Sequence, residues 1–115
     1  MPGRAFSANV DKDGVDTVIR LSGDVNRGAE AGLSAASEQA KDGPGRLLFD
    51  YSDVDYINST GIALIVGILA QARAMSREVG AYGLTDHYRE LFKITRLSDF
   101  MMIYDSEHAA AAAGK

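Results

Sequence analysis

Apolar and polar residues alternate from Val15 to Leu21, placing Val15, Thr17, Ile19 and Leu21 on one side. This two-residue period predicts a half-buried strand. Arg4 to Val10 reads as an earlier strand, joined to it through Asp11-Lys12-Asp13-Gly14, where Asp-Gly is a hairpin signal. Ser22-Gly23-Asp24-Val25-Asn26 ends the second strand, and Asn26 stands where it can cap a helix. From Arg27 to about Lys41 the apolar spacing becomes three and four, with Ala29, Leu33, Ala36 and Ala40 on one helical face. Asp42-Gly43-Pro44-Gly45 stops that helix. Arg46 to Tyr51 is a strand apolar on both faces near its middle, as buried parallel strands are.

The second half repeats the alternation of elements. Ser59 to about Val79 predicts a helix that is apolar almost all round in its first turns and closed by Gly80. Ala81 to Leu84 is a short strand. Thr85 or Asp86 then caps a helix running to about Thr95, with Leu91, Phe92 and Ile94 on its buried face. A turn over Leu97 to Phe100 leads to a last strand, Met101 to Tyr104. The tail from Asp105, with alanine at 109 to 113, reads as a frayed helix without chemistry of its own. The order is strand, strand, helix, then three strand–helix pairs. It implies a single α/β domain with right-handed crossovers after an opening hairpin.

Composition narrows the functions. A chain of 115 residues can bury a core of its own, and 46% hydrophobic with 24% charged residues is globular. No cysteine is present, so thiolate chemistry, disulfides and cysteine-type zinc sites are excluded. The net charge is -4 and the twelve basic residues are scattered, which disfavours direct nucleic-acid binding. The start of the chain has no signal-peptide core, and the apolar run Ile62 to Ala70 is too short to span a membrane. A soluble cytoplasmic protein without a membrane role or a cofactor is expected.

The richest stretch is Asp53-Val54-Asp55-Tyr56-Ile57-Asn58-Ser59-Thr60-Gly61. It joins a buried strand to the start of an apolar helix, where free N–H groups and the helix dipole favour negative charge. Capping by Asn58 or Ser59 explains one polar residue there, but three stand in a row. A hydroxyl at the rim of an apolar helix is well placed as a switch, since a phosphate adds about -1.5 to -2 charges. Other chemistry has little support. Asp50 ends a strand, but Asp11 and Asp13 lie in a hairpin turn and no late strand ends in lysine, so a phospho-accepting aspartate is disfavoured. Asp53 and Asp55 have no acid, base or oxyanion partner nearby in the sequence. His87 and His108 lack ligand spacing, and Ser59 is not in a Gly-x-Ser-x-Gly elbow. No enzyme is expected.

These residues resemble STAS domains, in particular bacterial anti-sigma-factor antagonists. The carriers are Leu21-Ser22-Gly23-Asp24-Val25-Asn26, Leu47-Leu48-Phe49-Asp50-Tyr51-Ser52, Val54 to Ile62, and Leu91-Phe92-Lys93-Ile94-Thr95-Arg96-Leu97 with Phe100. The resemblance covers about residues 6 to 106, with 107 to 115 as a tail. It implies a mixed sheet of about five strands with an N-terminal hairpin and about four helices. It also implies phosphorylation of Ser59, with Thr60 as second candidate, by a serine kinase that is itself the anti-sigma factor. The unphosphorylated antagonist would bind that kinase and free the sigma factor, and a phosphatase would reset the switch. The implied partner surface comprises Asp24, Asn26, Asp53, Asp55, Tyr56, Asn58, Ser59, Thr60 and Gly61. Asn58 and Asn26 depart from the aspartates usual in the family, which removes negative charge but keeps capping ability. A non-phosphorylated scaffold or sensor subunit of a signalling assembly is the alternative, and a homodimer stays open.

Overall fold

The computed structural model describes residues 3–114. Met1 and Pro2 of the N-terminal segment and Lys115 of the tail lie outside the described residues. Five strands form one sheet in the order β1 (Ser7–Asp11), β2 (Thr17–Val25), β3 (Leu47–Ile57), β4 (Val79–Tyr82) and β5 (Met102–Ile103). β1 and β2 are antiparallel, and the β2–β3, β3–β4 and β4–β5 pairs are parallel. The helices are α1 (Glu30–Ala40), α2 (Ser59–Ala74), α3 (Asp86–Ile94) and α4 (Glu107–Ala113). The α/β fold expected from the alternation is therefore present, with the mixed sheet that the resemblance implies.

The alternation in β2 sorts side chains as expected: Thr17, Ile19 and Leu21 are buried. Ile19 and Leu21 join Leu47, Phe49 and Tyr51 of β3 and Leu33, Ile65 and Leu69 of the helices in the main core. Phe92 of α3 meets Tyr51 edge-on, ring centroids 5.8 Å apart. Burial pushes the Tyr51 phenol well above its usual range. Leu48 faces the other way, against Tyr82 and Ala110. This explains why β3 reads as apolar on both faces.

Several boundaries differ from the sequence reading. Val15 is 82% exposed, because the hairpin turn extends to Asp16 and β2 starts at Thr17. The Asp11 carboxylate accepts from the Asp13 N–H and tightens that turn. β2 continues through Ser22 to Val25, and β3 through Ser52 to Ile57, since the two pair as far as Val25 and Ile57. Asp53, Asp55 and Tyr56 thus lie on a strand, not in a loop. α2 ends at Ala74, because Ser76 turns left-handed at φ 57°. Gly80 is a strand residue and not a helix terminator: a Cβ there would come within 2.8 Å of both Leu48 and the Tyr104 ring. The tail is a docked helix, not a frayed one. Ser106 caps α4 by accepting from the Ala109 N–H at 3.0 Å, and Ala110 is fully buried.

Candidate functional site

The site forms where β2 and β3 end side by side and α2 begins. The Asn58 N–H donates to the Val25 carbonyl at 3.2 Å, joining the two strand ends. The Asn58 side chain accepts from the Gly61 N–H at 2.8 Å, which caps α2. Gly61 is required at this corner: a Cβ would lie 2.0 Å from the Val25 carbonyl oxygen. On the far side, the Ile57 N–H donates to the Tyr88 hydroxyl at 2.9 Å, tying α3 to the end of β3.

With capping done by Asn58, the neighbouring hydroxyls have no local task. Ser59 and Thr60 are both exposed, and neither hydroxyl bonds to another of the described residues. The first turn of α2 contains no acidic residue, so its dipole is uncompensated by side chains. A phosphate on Ser59 would meet free N–H groups and a favourable field at that point.

The remaining predicted residues differ in their placement. Asn26 follows β2 and is spent as a cap, accepting from the Gly28 N–H at 2.9 Å at the start of a 3-10 turn over Arg27–Ala29. Tyr56 is 39% exposed. Asp53 and Asp55 are exposed, but both are engaged by Arg4, whose Nε lies 2.7 Å from Asp55 Oδ2 and whose Nη2 lies 3.2 Å from Asp53 Oδ1. These bonds, to Asp53 first and Asp55 second, hold the Arg4 guanidinium further towards its charged form. Asp24 differs from the surface role expected of it, being only 5% exposed. Its N–H donates to the Arg4 carbonyl at 3.0 Å, so residues beside Arg4 cover it.

Sequence reasoning missed Arg4. Nothing in the chain marks it, since 49 and 51 residues separate it from Asp53 and Asp55. Asp50, weighed as a phospho-acceptor, is half-buried and held by the Ser52 N–H at 2.9 Å and by Arg20 at 3.8 Å. Among the described residues no group of three or more His, Cys, Asp or Glu could hold a metal ion. No helix among them is long and apolar enough to cross a membrane.

Comparison with known proteins agrees with this fold. A family profile described as "Mlab, STAS domain" matches residues 8–104. The chain belongs to the STAS domain family. The STAS domain is 33% identical over 99 residues to the anti-sigma-B factor antagonist of Listeria monocytogenes, covering 84% of each chain. It also resembles two solved structures of the anti-sigma factor antagonist SpoIIAA. The unphosphorylated form matches with a TM-score of 0.66 at 17% identity over 93% of this chain and 96% of that one. The phosphorylated form, described as a Bacillus cell fate determinant, matches with a TM-score of 0.64 at 19% identity over 93% and 99%. At those identities the structural likeness establishes the fold, and the curated sequence relative carries the closer relationship.

Proposed function

We propose that this STAS domain is an anti-sigma-factor antagonist that binds an anti-sigma serine kinase and is switched by phosphorylation of Ser59, with Thr60 as the second acceptor. The protein is then a binding module and not an enzyme, and a phosphatase restores the binding form. One observation carries the reading: Asn58 alone caps α2, which leaves the Ser59 hydroxyl exposed at the positive end of that helix. A residue needed for capping would be a poor switch, because modifying it would unravel the helix start. Ser59 can change charge while the fold stays intact. Unmodified, it allows close packing of a partner over Tyr56 and the first turn of α2. Phosphorylated, it brings about -1.5 to -2 charges into that contact, a cost of several kcal/mol where they are left unpaired. The names of the curated relatives support the general role.

The test incubates the protein with ATP and a purified histidine-kinase-like anti-sigma ATPase from the same organism, then maps the phosphate by mass spectrometry. Phosphate on Ser59 or Thr60 is expected, and phosphate elsewhere rejects the assignment. Ser59→Asp weakens partner binding and Ser59→Ala retains it. A second reading, a non-phosphorylated scaffold or sensor subunit, is favoured by Asn58 and Asn26, whose amides are occupied as caps and offer no carboxylate to a kinase. It predicts partner binding with no phosphate transfer.

A further inference from the structure

Two large apolar side chains stand in solvent at the β5 edge of the sheet. Phe100 is 50% exposed and Met102 is 62% exposed, while Leu97 and Met101 beside them are buried. Phe100 and Met102 flank a groove of about 490 Å³ between the last turn of α2, the start of β4 and residues 98–102. Leu69, Val79 and Met101, all buried, give it an apolar floor. β5 is the outermost strand and pairs with β4 alone, so no further strand among the described residues closes the groove. An apolar groove with aromatic and methionine side chains exposed at its rim has the composition of a protein contact.

The charges around the groove say what fits it. Arg73 is exposed, its guanidinium carbon lies 5.0 Å from the centre of the Phe100 ring, and it has no carboxylate partner among the described residues. Of the other charged groups lining the groove, Arg46 is paired with Asp16, and Asp99 with Arg96. Arg77 and Glu78 remain, and the Arg77 guanidinium is turned onto backbone carbonyls. Arg73 and Arg77 against Glu78 leave an excess of one positive charge, in a chain of net charge -4.

We propose that this groove docks a segment of another protein in which an apolar side chain stands beside a carboxylate. The apolar side chain seats on Leu69, Val79 and Met101, and the carboxylate bonds Arg73. Stacking on Phe100 holds the Arg73 fork in one place, which lowers the cost of ordering it against a carboxylate. The same cation turns away a segment that carries lysine or arginine at that point. The groove is separate from the corner at Ser59. Ser59 and Arg73 stand near opposite ends of α2, about 21 Å apart at 1.5 Å per residue. That separation is about twice the screening length in 0.1 M salt, so a charge on Ser59 is weakly felt at Arg73.

The test is an amide-resolved NMR titration of the full chain with acetyl-Leu-Glu-Phe-amide, alongside peptides with glutamine or lysine in place of the glutamate. The glutamate peptide should shift the amides of Arg73, Val79, Phe100 and Met102. At low salt it should bind about fivefold tighter than the glutamine peptide, with the lysine peptide weakest. Arg73→Gln, a change at an exposed side chain, should abolish that preference. Met102→Ser, also exposed, should weaken the glutamate and glutamine peptides alike, by about threefold. Equal binding of the three peptides, a preference that survives Arg73→Gln, no effect of Met102→Ser, or shifts confined to other surfaces would overturn the proposal. Concentration-dependent shifts of the same amides without peptide would give the groove to a second copy of the chain and overturn it too. The titration uses neither kinase nor ATP. A failed phosphate transfer to Ser59 and an empty groove are therefore separate results.

Discussion

The two ends of the parallel strands are built on opposite plans. At the N-terminal ends of β2, β3 and β4, two arginines close the structure. The Arg77 guanidinium donates to the carbonyls of Ala40 at 2.7 Å and Gly43 at 2.9 Å, and to the Thr17 hydroxyl at 3.0 Å. Arg46 donates to Asp16 at 2.7 Å, to the Tyr104 hydroxyl at 3.1 Å and to the Ala110 carbonyl at 2.9 Å. These bonds tie the C-terminal end of α1, the turn after it and α4 to the strand starts. At the C-terminal ends, the Ser59 and Thr60 hydroxyls and Asp24 Oδ1 have no partner among the described residues, and the ion pairs of Arg4 are exposed and open to salt. Polar groups are used up at the end that holds the fold and left available at the end proposed to meet a kinase partner.

This contrast can be broken at either end. The largest effect is expected at Gly61, where α2 is seated on Val25. Gly61→Ala forces the helix start away from the Val25 carbonyl and should cost about 3 kcal/mol in urea unfolding. A loss below about 0.5 kcal/mol would show that the corner is not held by that contact. Arg77→Ala comes next, at about 2 kcal/mol, since several carbonyls lose their donor at once. It should leave phosphate transfer to Ser59 unchanged, and a loss of transfer without unfolding would erase the distinction between the two ends.

The third probe is acid. The hydrogen bond from Arg46 holds the Asp16 carboxyl below the ordinary carboxylate value of 3.8, although burial opposes the shift. A depressed folded-state value contributes stability that is present above about pH 4 and lost as the pH falls through the lower folded value. Asp16→Asn should therefore cost about 1 kcal/mol at pH 7 and less at pH 3. Urea midpoints at the two pH values measure this, and an equal cost at both removes the ion pair as the cause. The smallest effects separate the cap from the switch. Asn58→Ala should cost about 1 kcal/mol, and Ser59→Ala less than about 0.5 kcal/mol. A reversed order would make Ser59 the structural residue and remove the physical basis for its modification.

Much of this contrast could be read in the chain. The hairpin, the doubly apolar β3 and the polar run before α2 follow from local rules, and Ser59 is exposed. The lengths of β2 and β3 were harder to read. Ser22 to Val25 and Ser52 to Ile57 look like turns in isolation, with their aspartates and glycine, and become strands only because they pair with each other. Gly80 looks like a helix terminator until Leu48 and Tyr104 are seen against it. The tail looks frayed until Ala110 is placed on Leu48 and Tyr82.

The chain by itself therefore determined the order of elements, the α/β class, the capped start of α2 and the hydroxyls beside it. Those follow from side-chain periodicity and from hydrogen bonds that reach only two to four residues. Tertiary structure alone decided that Arg4 lies on Asp53 and Asp55, that Asp24 is covered, and that Arg77 gathers the carbonyls at the opposite end. Such contacts join groups tens of residues apart. They depend on strand order and register, which bring together charges that no local rule relates.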